Sequence, residues 1–114
     1  EAFISAVSEI HQAPETFSSR LFGLRAQDLL DGRLPAGDMR GAVLAARLSG
    51  LAIGLELAGA CRECPSDKPI MLIGNQALSQ RYTLALNAIG YQTQHVDGDT
   101  AVLAGLRLAH RALK

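Results

Sequence analysis

The stretch that most constrains this chain is Pro69-Ile70-Met71-Leu72-Ile73-Gly74-Asn75-Gln76-Ala77-Leu78. A short apolar run ends in glycine and two amides, and a helical pattern begins at once. That order reads as a buried strand, a tight turn and a helix. The helix pattern runs from Gln76 to Ile89, with Leu78, Tyr82, Ala85, Leu86 and Ile89 on one face. Gly90 suits a left-handed C′ position. Gln92 to Val96 reads as a second, more polar strand. Asp97-Gly98-Asp99-Thr100 reads as turn plus cap, and Ala101 to Leu113 as a last helix. The expected inward positions of that helix are Val102, Leu103, Leu106, Ala109 and Leu113, with Arg107, His110, Arg111 and Lys114 toward solvent or the negative helix end. A helix between two strands implies a parallel pair. The run Ile70–Ile73 is expected to be covered on both faces. Two strands make a poor parallel sheet, so further strands are expected from outside 1–114.

The first sixty residues read as three helices. Phe3, Ile4, Val7 and Ile10 recur at helical spacing until Pro14 interrupts them. Glu15 to about Leu30 places Phe17, Leu21, Leu24 and Leu29 on one face. Gly23 within it costs about 1 kcal/mol relative to Ala and leaves room for a close neighbour. Asp31-Gly32 and Leu34-Pro35 mark a break. Pro35-Ala36-Gly37-Asp38 is a turn, with Asp38 a candidate N-cap. From Met39 to about Ala60 the pattern is apolar nearly all round, as in a helix buried on most sides. Ser49, Gly50, Gly54 and Ala58 form a stripe of small residues. It serves close helix packing, one wall of a ligand pocket, or both.

Composition sets limits. Eleven basic and eleven acidic residues give a formal net charge of zero, which argues against nucleic acid or an anionic membrane as the main partner. The low-polarity run Gly41–Cys61 holds Arg47 and Glu56, each costing roughly 2.5–3.5 kcal/mol at the centre of a bilayer, so no membrane span is expected. The chain starts Glu1-Ala2-Phe3, without a secretory signal pattern or an initiator Met. It is expected to be part of something longer and, with two cysteines, cytoplasmic.

Candidate chemistry is sparse. Cys61-x-x-Cys64 follows a helix and precedes a strand, the reverse of a redox pair at a helix start. A zinc site needs two more ligands, while His11, His95 and His110 are scattered, so free thiols are expected. Asp97 and Asp99 read as turn and cap residues, with a metal pair as the alternative. Glu56 is either exposed or a partner of Arg47 or Arg62. No catalytic residue and no metal ligand emerge. The Gly74-Asn75-Gln76 turn has the best context. Ligands in α/β sheets sit at strand carboxyl ends, glycine admits close backbone approach, and the amides can meet a purine edge or ribose. It is neither of the common glycine-rich phosphate motifs.

Four ordered stretches carry a resemblance. They are Ser18-Ser19-Arg20-Leu21-Phe22-Gly23-Leu24-Arg25-Ala26 with Leu30-Asp31-Gly32-Arg33-Leu34-Pro35; Arg47 to Leu57; Leu72 to Leu78 with Arg81-Tyr82 and Ala88-Ile89-Gly90; and Thr100 to Leu106. Together they are similar to the second half of the 2-dehydro-3-deoxygalactonokinase family. The resemblance implies an α/β fold, the helix-rich C-terminal part of the second ribonuclease-H-like (actin-like ATPase) domain of a sugar-acid kinase, with few strands. It implies ATP and Mg²⁺, a sugar-acid substrate phosphorylated at the 6-position, and an N-terminal domain supplied by the rest of the protein. Gly74, Asn75 and Gln76 would line the adenosine side of ATP, with Gly50 and Gly54 on a helix packed nearby. The family's phosphate loop and its P-G-T-H-S-K-W segment have no counterpart in 1–114, and the Cys61–Cys64 loop departs from its pattern. The segment alone is therefore expected to be inactive. The alternatives are a kinase of the same superfamily acting on another sugar, or a non-catalytic helical interaction module whose uncovered apolar surface drives association, a homodimer included.

Overall fold

The computed structural model describes residues 1–30 and 38–113, apart from the side chains of Asp28, Leu29, Leu30 and Asp38. The expected break at Asp31–Pro35, the Pro35–Gly37 turn and the Asp38 cap lie outside that description, as do the Leu29 side chain and Lys114. The chain divides into two compact units, Glu1–Cys64 and Pro65–Lys114.

The first unit is helical: α1 (Ala2–Gln12), α2 (Phe17–Leu30) and α3 (Asp38–Ala60). Pro14 heads a single 3-10 turn, Pro14–Thr16, between α1 and α2. Proline suits a helix start because its missing N–H would be unpaired there anyway. The turn is closed by the Thr16 amide and hydroxyl, both donating to the Ala13 carbonyl at 3.0 and 2.6 Å.

The core of this unit is Ala6, Ile10, Leu24 and Leu51, with Phe17, Leu44 and Leu55 packed against it. Val7 is also fully buried. Gly50 and Gly54 explain how α1 comes so close to α3. A Cβ built on Gly50 would overlap the Phe3 carbonyl oxygen and lie 2.9 Å from the Ala6 Cβ. One on Gly54 would overlap an Ile10 methyl and lie 3.0 Å from the Val7 carbonyl oxygen. The packing use of the small-residue stripe is thus realised.

Charge ties the same three helices. Arg47 Nη2 on α3 donates to Glu9 Oε2 on α1 at 2.7 Å, and Arg20 Nη1 on α2 lies 3.4 Å from that oxygen. Of the alternatives for Glu56, the exposed one holds. Two expectations are corrected. Among the described residues nothing lies within 4 Å of a Cβ built on Gly23, so none of them uses the gap. Nor is α3 buried on most sides. Leu51, Ile53 and Leu57 are buried, but Met39 and Leu48 are exposed, because α1 and α2 cover only part of its circumference. By length and composition alone, Met39–Ala60 could cross a membrane; within this unit it is the helix on which the other two pack.

The second unit is β1 (Ile70–Gly74), α4 (Gln76–Ala88), β2 (Thr93–Asp97) and α5 (Gly98–Ala112). β1 and β2 pair in parallel, in the register Ile70↔Thr93 through Gly74↔Asp97, as the helical crossover requires. α4 ends in a paired terminus. The Tyr91 amide donates to the Leu86 carbonyl at 2.9 Å and the Gly90 amide to the Asn87 carbonyl at 3.2 Å. Gly90 has φ +97°, a conformation that glycine adopts without a Cβ penalty.

Coverage of this unit differs from the expectation. Met71 and Ile73 on β1 are exposed, while Ile70 and Leu72 are half-buried. The strand is covered on one face only, since alternate residues point to opposite faces. On α5, Val102, Leu103, Leu106 and Leu113 are exposed rather than inward. The described residues supply two strands to this sheet, too few to cover those side chains. The helix also starts earlier than expected, at Gly98. The Asp97 carboxylate accepts from the Thr100 amide at 3.2 Å and caps it.

Candidate functional site at the turn between β1 and α4

Gly74, Asn75 and Gln76 form one continuous turn at the carboxyl end of β1. Asn75 is extended, with φ −74° and ψ 157°, and its Oδ1 accepts from the Leu78 amide at 2.9 Å. The Asn75 carbonyl takes the Ser79 amide at 3.0 Å. A helix leaves its first N–H groups unpaired, and Asn75 satisfies one of them. Those of Gln76 and Ala77 remain beside the positive end of the helix dipole. The Asn75 carboxamide oxygen is therefore committed to the fold, and its NH₂ group is the half offered outward.

Two clefts meet at this turn. One, of about 260 Å³, is lined by Leu72, Ile73, Gly74, Asn75, Leu78, Ser79 and Tyr82. The other, of about 390 Å³, is lined by Gln76, Ser79, Gln80, Thr83, Leu84 and His95. Ser79 borders both and is buried. Gly74 itself is not demanded by packing. A Cβ there would meet Ser79 Oγ at 3.7 Å, an ordinary contact, and its φ is not positive. The arrangement offers amide and hydroxyl donors and acceptors beside apolar walls. It can hold a flat, neutral, hydrogen-bonding group, and it carries no charged clamp for phosphates.

His95 was passed over in the sequence. Its Nε2 lies 3.2 Å from the Gly74 carbonyl oxygen. In register it stands opposite Leu72, on the side of the strand pair that faces α4, and it is exposed there. The alternation of β2 was the available signal. The cap role of Asn75 also had a signal, since asparagine is among the preferred N-cap residues.

Gly50 and Gly54 lie in the first unit, where α1 occupies the space over them. Asp97 caps α5 and Asp99 lies in its first turn. Among the described residues no three His, Cys, Asp or Glu side chains converge on one point. Cys61 is buried and Cys64 exposed, and neither is in a disulfide. Cys64 Sγ lies 3.6 Å from the Ala60 carbonyl oxygen. Burial, then the neighbouring Cys64, push the Cys61 thiol above its ordinary value. A reactive thiol needs the opposite shift.

Comparison with known proteins decides the family. The profile of the 2-keto-3-deoxy-galactonokinase family matches residues 1–109. The chain belongs to that family. A Rhizobium meliloti (strain 1021) protein described as a "probable 2-dehydro-3-deoxygalactonokinase" is 41% identical over 112 residues, a match covering 98% of this chain and 35% of that protein. The 2-dehydro-3-deoxygalactonokinase of Escherichia coli (strain K12) is 37% identical over 92 residues, covering 80% of this chain and 30% of that one. The crystal structure of a Sinorhizobium meliloti protein assigned to the same kinase superposes with a TM-score of 0.87 at 39% identity, covering 99% of this chain and 36% of that one. The chain spans about a third of the length of the family members it matches. The ordered motifs of the sequence and the helix-rich α/β architecture with a parallel strand pair agree with this membership.

Proposed function

We propose that residues 1–114 are the C-terminal segment of the second domain of an ATP-dependent kinase that converts 2-dehydro-3-deoxy-D-galactonate to its 6-phosphate in galactonate breakdown. The observation that carries this reading is the family match across 1–109. In it, the unit Pro65–Lys114 belongs to a ribonuclease-H-like domain whose remaining strands, and a partner N-terminal domain, come from the rest of a cytoplasmic protein. The exposed apolar side chains of β1 and α5 are then surface that the rest of the protein covers.

Within this segment, the Gly74–Gln76 turn serves the adenosine side of ATP. Gly74 presents bare backbone that its own fold does not fill. The Asn75 NH₂ and the Gln76 side chain supply hydrogen bonds to base or ribose. Gly50 and Gly54 contribute by seating α3 on α1. Phosphoryl transfer needs a phosphate clamp, Mg²⁺ and a group that positions the nucleophile. In this reading those parts belong to the remainder of the protein, and the segment alone is inactive.

The test uses the full-length protein with ATP and 2-dehydro-3-deoxygalactonate, beside other keto acids and hexoses. Turnover of the galactonate is expected; turnover of another sugar alone would remove the substrate assignment. For the turn, Gly74→Ala is informative because the fold has room for the methyl. Melting is expected to stay unchanged while the KM for ATP rises. An unchanged KM would place the nucleotide elsewhere.

A further inference from the structure

We propose that His95 is a positioning residue of the nucleotide turn, holding the Gly74–Asn75 peptide in the orientation that aims the Asn75 N–H away from β2. The inference rests on the adenosine-side reading of the turn and adds a residue to it.

A backbone carbonyl can only accept, so the 3.2 Å contact between His95 Nε2 and the Gly74 oxygen requires the proton on Nε2. The Gly74 carbonyl and the Asn75 N–H belong to one planar trans peptide and point in opposite directions. Fixing one fixes the other. The Asn75 N–H is, with those of Gln76 and Ala77, a donor left over at the start of α4. A reciprocal cap would need a Glu or Gln three residues on, and Leu78 stands there. Among the described residues no acceptor is bonded to that N–H.

The turn is held on its other sides as well. Gly74 pairs in register with Asp97. Gly98 packs against it closely enough that a Cβ on Gly98 would lie 3.7 Å from the Gly74 Cα. Asn75 Oδ1 fixes the first turn of α4. These contacts hold the position of the turn. The strand pairing turns the Gly74 carbonyl toward β2, and the His95 bond adds a side-chain partner to that same oxygen. His95 reaches it from the wall of the larger cleft, opposite Gln76 and Gln80, so the same side chain also borders the space beside the turn.

The experiment compares full-length wild type, His95→Ala, His95→Gln and Gly74→Ala by steady-state kinetics, by equilibrium binding of a fluorescent ATP analogue and by thermal melting. One hydrogen bond of ordinary strength corresponds to about a two- to tenfold effect. His95→Ala is expected to raise the KM for ATP and the analogue's Kd by that factor, with kcat and the sugar-acid KM within about twofold of wild type. His95→Gln keeps a side-chain N–H and is expected to recover part of the loss. Nitrogen-15 spectra of the wild-type histidines are expected to show His95 protonated on Nε2. The proposal is overturned if His95→Ala leaves ATP binding unchanged. It is equally overturned if Gln and Ala lower kcat, both KM values and melting together, or if the wild-type His95 proton is on Nδ1. Should His95→Ala not fold, the Gln variant and the spectrum decide. If Gly74→Ala weakens ATP binding and His95→Ala does not, only the His95 proposal fails. If neither does, the adenosine-side reading fails with it.

Discussion

Replacing Gly50 by Ala sets two known effects against each other within one helix. In the interior of α3 the change should gain about 1 kcal/mol, because glycine is that much poorer than alanine in a helix. The structure opposes it. The new methyl would overlap the Phe3 carbonyl oxygen and press on the Ala6 Cβ at 2.9 Å. The first obstacle is backbone, so it cannot turn away as a side-chain tip can, and α1 must shift as a body. Overpacking of this kind costs about 1–3 kcal/mol. Gly41→Ala is the matched control, since nothing lies within 4 Å of a Cβ there. Both variants change the same chemistry in the same helix, so their difference isolates the packing term. Urea unfolding followed by helical circular dichroism should place Gly41→Ala at or slightly above wild type and Gly50→Ala about 1–3 kcal/mol below it. Gly54→Ala should resemble Gly50→Ala, because the Val7 carbonyl oxygen and Cα would lie at 3.0 and 3.1 Å. Equal stability of Gly50→Ala and Gly41→Ala would refute the close approach of α1 to α3.

Asn75→Ala removes the cap on the Leu78 amide and should cost about 1 kcal/mol in urea unfolding, with Asn75→Asp restoring most of it. Glu9→Gln leaves Arg47 and Arg20 without their shared carboxylate; a loss of about 1 kcal/mol that shrinks in high salt is expected, discounted because Glu9 is part-exposed. Cys64 should be alkylated before Cys61, as followed by peptide mass spectrometry. The raised Cys61 value means less thiolate near neutral pH, so its labelling should lag and then rise as pH increases. Equal rates near neutral pH would contradict the burial of Cys61.

Much of the second unit was legible because its signals are local. Ile70–Gly74, the amide turn and the periodic run from Gln76 need only neighbours in the chain to be read. Gly90 announced a left-handed residue, and φ +97° with two terminal bonds is what it forms. Asp97 announced a cap and is one. The candidate site was legible as a turn but not in its working parts. The Asn75 oxygen is spent on the helix, and the carbonyl of Gly74 meets a histidine 21 residues on. No spacing rule links positions that only strand register brings together.

By itself, then, the sequence determined the order of elements, the parallel sense of the strand pair and the ends of α4. These follow from dihedral preferences and hydrogen bonds that close within a few residues. Tertiary structure alone decided which glycines are needed for space, as at Gly50 and Gly54, and which are not, as at Gly23 and Gly74. It also decided that Arg47 reaches Glu9 on another helix, and that apolar side chains on β1 and α5 stand exposed among the described residues. The physical reason is common to these cases. Periodicity names the face an element needs covered, whereas the neighbour that covers it is set by chain far away in sequence.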